Sequence, residues 1–193
     1  IVLCPELRGF GVLRDVAAQT EGGRLDYWNW GEHMAYSLVS DGIIHGKSLI
    51  GETVEDLLRW ENWLVTSRGV MSIDVAGISY GGDLALIYPV YSERVDRIFA
   101  SGTLGSFSVI FSRCYNAPAH GIPGVLQWMD RSDIAGLNSP RPLAIHYGEL
   151  DMPSPTNFSA SYNETVPESL KELKAIYGAF HAEQGLHLVV SKG

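Results

Sequence analysis

The stretch "DVAGISYGGDLAL", residues 74–86, decides how the rest of the chain is read. Ser79 stands between Gly77 and Gly81 in a G-x-S-x-G pattern. The pattern alone is weak, because Gly and Ser are common, but its surroundings give it weight. "MSIDVAGIS" (71–79) is rich in apolar and β-branched residues and reads as a strand. "YGGDLALIYP" (80–89) reads as a short apolar helix that Pro89 stops. Ser79 therefore falls on a strand-to-helix turn, which would hold its backbone in strain and lift its hydroxyl above the sheet. Glycines are expected at 77 and 81 because Cβ atoms there would collide with the strand and the helix, and Gly82 allows a further close approach. The helix start beneath Ser79 favours developing negative charge, and the Tyr80 N–H is placed to donate to an oxyanion. Neither G-x-x-x-x-G-K-[ST] nor G-x-G-x-x-G occurs, so a phosphate cradle is the poorer reading.

Outward from this turn, strand-like runs occupy residues 1–4, 72–78, 95–101, 143–147 and 186–191. They are short and nearly continuous in apolar residues, as suits a parallel sheet buried on both faces. Helical patterns alternate with them at 51–69, 81–89 and 167–185. The first has Thr53 as N-cap, acids in its first turn and Arg68-Gly69 at its end. The third repeats Leu170, Leu173, Ile176, Tyr177 and Phe180 at helical spacing. Strand and helix in alternation predict an α/β fold with a parallel sheet. Two irregular stretches, 20–37 and 113–133, are rich in Gly, Pro and aromatics. The aromatic "LDYWNWGEHMAY" reads as lid or core packing ahead of a sugar or apolar pocket.

The whole chain fits one domain of 193 residues, 46% hydrophobic and 19% charged, with no apolar run long enough to span a membrane as a helix. Its net charge of −8 argues against sequence-independent nucleic-acid binding. Cys4 and Cys114 lie far apart and read as two free thiols.

A nucleophilic serine needs an acid and a base, which on this kind of scaffold follow in the order Ser, Asp or Glu, His. Glu149 and Asp151 come directly after the strand at 143–147, where a carboxylate could orient an imidazole. Asp151, followed by the rigid "MPSP", is the first choice and Glu149 the second. The base is harder to find among the six histidines. His187 begins a strand, at the end opposite the site, and His181 falls inside a helical pattern. His45 precedes the serine, and His33, His120 and His146 are also out of position. The expectation is that the base lies beyond Gly193.

With these residues in place, the chain resembles the α/β-hydrolase superfamily, and within it the acetyl xylan esterase and dienelactone-hydrolase-like branch. The likeness is carried by the elbow and by "VLCPELRGFG" (2–11), "GKSLIGETVEDLLRWENWL" (46–64) and "VDRIFASGT" (95–103). It is strongest in "HGIPGVLQWMDRSDIAGLNSPRPLAIHYGELDMPSP" (120–155). The resemblance implies a parallel-sheet α/β-hydrolase fold and a serine carboxylesterase acting on acyl, often acetyl, esters. Ser79 would be its nucleophile, Asp151 its acid and Tyr80 an oxyanion donor. It implies a small-molecule ester substrate and no metal or organic cofactor. It also implies that residues 1–193 form a single partial domain, with the first strands before Ile1 and the histidine after Gly193. Two rivals stay open: a serine peptidase of prolyl-oligopeptidase type, and a catalytically inactive hydrolase fold serving as a binding module.

Overall fold

A computed structural model describes residues 1–10, 36–109, 118–149 and 164–192. Its centre is a sheet that contains, among the described residues, four parallel strands in the order β1 (Ile73–Ile78), β2 (Val95–Ser101), β3 (Leu143–Gly148) and β4 (Leu186–Ser191). Each strand pairs with its successor in sequence, Gly77 with Ala100, Ala100 with Ile145 and Ile145 with Leu188. Parallel neighbours need crossovers. The crossover from β1 to β2 carries the helix Tyr80–Ile87, and those that follow carry the helices Arg131–Gly136 and Val166–Ala179. Numbered in chain order, the helices are α1 (Tyr36–Ile44), α2 (Leu49–Arg68), α3 (Tyr80–Ile87), α4 (Arg131–Gly136) and α5 (Val166–Ala179).

The helix ends have local causes. At α2 the N-cap is Ser48, whose hydroxyl accepts from the Gly51 N–H at 3.1 Å, so the helix starts earlier than the Thr53 cap expected from sequence. Thr53 is buried instead, its hydroxyl donating to the Leu49 carbonyl at 2.8 Å and meeting the Tyr80 hydroxyl at 3.1 Å. Gly69 ends α2 in the left-handed conformation, φ 66°. A capping box of Asp130 and Asp133 starts α4. The helix expected over 167–185 is shorter: α5 closes at Ala179, His181 follows it with φ 55°, and a 3-10 turn, Glu183–Gly185, leads into β4.

Three other expectations are corrected. Residues 1–4 form no strand: Ile1 and Val2 are exposed, and no described strand pairs with them. A short apolar run becomes a strand only beside a hydrogen-bonding neighbour. Nor is the sheet buried on both faces among the described residues. Ile98, Ala100, Leu143 and Ile145 point into a core with Leu84, Leu173 and Tyr177. Asp74, Ile78, Arg97 and Phe99 point the other way and are exposed. That open face carries an ion pair from Arg97 to Asp74 at 2.9 and 2.7 Å, and the stacked rings of Phe99 and His146. Finally, Gly81 is not where the steric demand falls: a Cβ built there meets nothing within 4 Å.

Candidate active site

Ser79 stands where β1 ends and α3 begins, the position read from sequence. Its φ of 55° and ψ of −118° are unusual for an L-residue. Strain of this kind persists only where the surroundings over-determine it. Here the Ser79 N–H donates to the Ser101 carbonyl at 2.8 Å, and the Ser79 carbonyl accepts from the Asp83 N–H at 3.1 Å. The turn is tight enough that a Cβ on Gly77 would lie 1.9 Å from the Gly81 carbonyl oxygen. A Cβ on Gly82 would lie 2.9 Å from the Ser101 carbonyl oxygen and from the Thr103 methyl. Glycine is thus required at 77 and 82. Ser79 itself is exposed, and its hydroxyl makes no capping bond to the helix it precedes.

Tyr80, the first residue of α3, is buried. Its ring stacks on Phe10 at 5.5 Å and meets the edge of His120 at 5.4 Å. Burial pushes its phenol up to about 12, against the effect of its hydrogen bond with Thr53, so it stays neutral across the ordinary pH range. The side chain is therefore an anchor for the first turn of α3.

Beneath this strand-to-helix turn lies a cluster that sequence reading misses. Asp83, in the first turn of α3, is 1% exposed. Arg131 grips its carboxylate through Nε and Nη2, both at 2.8 Å. His120 Nδ1 lies 2.6 Å from Oδ2, and the Thr103 hydroxyl donates to Oδ1. Burial alone would raise the Asp83 pKa, but the Arg131 charge and the His120 hydrogen bond outweigh it and hold the carboxyl well below its usual range. Arg131 also donates to the Gly105 carbonyl at 2.9 Å and lies over the Phe107 ring at 4.2 Å. Two signals were available: Asp83 is the one charge in an otherwise apolar helix, and His120 and Arg131 both fall in the stretch 120–155.

The acid and base read from sequence are placed unequally. The described backbone reaches Glu149, exposed beyond β3, whose N–H donates to the Ser191 carbonyl at 2.9 Å. Asp151 lies outside the described residues, as do Cys114 and nearly all of the aromatic stretch 25–36. Three of the described histidines have partners of their own. His120 is buried on Asp83, and His146 Nδ1 bonds the Ser101 hydroxyl at 2.8 Å. His45 Nδ1 sits 2.9 Å from the Asp41 carbonyl oxygen. His187 pairs with Ala144 at the start of β4, and His181 lies past the end of α5. No group of three or more His, Cys, Asp or Glu among the described residues could hold a metal ion. No helix among them is long and apolar enough to cross a membrane. A cavity of about 500 Å³ opens between α1 and residues 121–127, lined by Val39, Ile43, Phe107, Ile122 and Val125; Ser79 is not part of its wall.

Comparison with known proteins places the fold. No family model matches the chain, and no curated protein matches its sequence. Among solved structures it is similar to methylesterase BT1017, with a TM-score of 0.55 and 17% identity over 75% of this chain and 31% of that one. It is also similar to a carbohydrate esterase family 15 glucuronoyl esterase from Caldicellulosiruptor kristjansonii, with a TM-score of 0.47 and 16% identity over 62% of this chain and 37% of that one. The chain thus spans about a third of the length of either structure. At 17% identity the likeness to the methylesterase is one of fold alone.

Proposed function

We propose that the chain carries the nucleophile of a serine esterase, acting on small acyl esters such as those of acetylated sugars. The observation that supports this best is the backbone of Ser79: φ 55° at an exposed serine, where a parallel strand turns directly into a helix. The fold shared with a methylesterase is in keeping with ester chemistry. In the proposed reaction Ser79 Oγ attacks the ester carbonyl and its proton passes to a histidine outside the described residues. Asp151 orients that imidazole, and the Tyr80 N–H donates to the oxyanion at the start of α3. The intermediate expels the alcohol, which takes the proton, and water then releases the acid from Ser79.

The test is hydrolysis of a short-chain acetyl ester, together with covalent labelling by a fluorophosphonate. Ser79→Ala is expected to abolish labelling and to cut turnover by about a thousandfold or more. Unchanged turnover in Ser79→Ala overturns the reading.

A further inference from the structure

We infer that the buried cluster of Asp83, Arg131, His120 and Thr103 positions the nucleophile elbow, fixing the first turn of α3 and with it the Ser79 hydroxyl and the Tyr80 amide. Its chemical consequence rests on the esterase reading of Ser79; its geometry does not.

Three segments distant in sequence converge on one carboxylate, a single turn from Ser79. They are the exit of β2 through Thr103, the 3-10 turn Pro118–His120, and the first residue of α4, Arg131. The exit of β2 holds the elbow twice, by the Ser101 carbonyl on the Ser79 N–H and by Thr103 on Asp83. Gly82 lets α3 sit against that exit with no side chain between them. His120 adds a third hold, because its ring meets Tyr80, the residue whose N–H the esterase reading assigns to the oxyanion. Holding the fold together is a poor explanation for such a cluster, since well-packed apolar residues replace buried ion pairs without loss in many proteins. Fixing direction is a better one, because a bidentate guanidinium defines both the distance and the plane of the carboxylate it grips. Charge points the same way. An unpaired carboxylate in the first turn of α3 would oppose negative charge forming on the oxyanion above it, and Arg131 cancels that charge. Asp83 and Arg131 are therefore positioning residues, acting through α3 without touching substrate.

The test uses the 193-residue chain, ¹⁵N-labelled, with Arg131→Gln, Arg131→Lys and His120→Gln. Amide resonances of Tyr80 and Gly81 are compared with those of the β3–β4 pair, and fluorophosphonate labelling of Ser79 is resolved into probe affinity and saturating rate. Arg131→Gln is expected to move the elbow amides and leave the β3–β4 amides in place. Its saturating rate should fall roughly ten- to a hundredfold, with affinity changed less than about twofold. Arg131→Lys should recover part of that rate, because it restores the charge without the fork. If Arg131→Gln does not fold, His120→Gln decides by the same readouts. Elbow amides that stay in place in a folded variant, or a labelling rate equal to that of the parent, overturn the inference. If the parent chain is not labelled at Ser79, this chain does not supply the base by itself, a result that bears on the esterase reading and not on the positioning. The elbow amides then settle the positioning alone: displaced supports it, unmoved overturns it.

Discussion

Ala100 is sealed from solvent while its neighbour Phe99 is 38% exposed, and across the sheet Ile145 is sealed while Ile78 is 71% exposed. The same strands supply both faces of one sheet. The closed face is covered by α3, and the elbow grows out of it; the open face bears an ion pair and a stacked ring pair at its surface. Burial in this sheet is thus a property of the covering layer, and an apolar side chain alone does not secure it. The turn at Ser79 is braced on the covered side, where Gly82 and Asp83 pack against the exit of β2. Strain at Ser79 can be held only by neighbours that cannot yield.

The sharpest way to break this contrast is Gly77→Ala. The new methyl would lie 1.9 Å from the Gly81 carbonyl oxygen, a backbone atom with no room to move. The variant is expected to fail to fold, or to lose more than about 4 kcal/mol in urea unfolding. Next come paired truncations on the two faces. Ile145→Ala should cost about 2–5 kcal/mol, and Ile78→Ala less than about 1 kcal/mol, by the same measurement. Equal losses would mean that the open face is covered in solution.

Acid provides a third test. Burial, overcome by Arg131 and His120, leaves the folded pKa of Asp83 below its ordinary value of 3.8. Its contribution to stability is complete above that value and lost as pH falls towards the folded one. Urea unfolding of the parent should therefore weaken more steeply below pH 3.8 than that of Asp83→Asn. Parallel slopes would show that the carboxylate is not held as described. The smallest effect is expected at Gly81→Ala, where the methyl meets nothing and helix propensity improves, with a change within about 1 kcal/mol.

Much of the fold was legible because the deciding signals are local. The strands 95–101 and 186–191 were read to the residue. Ser79 was placed on its turn because the pattern changes from strand to helix around it. The failures came where a distant partner decides. Thr53 followed by an acid looks like a cap until Tyr80 claims its hydroxyl. Residues 1–4 look like a strand until a neighbour is sought for them. The glycine pattern points to 77 and 81, whereas the start of α3 makes the steric demand at 77 and the exit of β2 makes it at 82. Asp83 meets His120 and Arg131 across separations of 37 and 48 residues, which no local pattern records. For the candidate site, the place of Ser79 on its turn is legible in the sequence, but not what holds that turn; Asp151 lies outside the described residues.

Tyr80 occupies the variable position of G-x-S-x-G, yet its ring is wedged among Phe10, Thr53 and His120. A residue that a motif leaves blank is here tied to three others from separate parts of the chain. In evolutionary terms the four positions form one unit of change. A smaller side chain at 80 would have to arrive with compensating replacements at 10, 53 or 120, and descendants of this sequence would carry them as correlated columns.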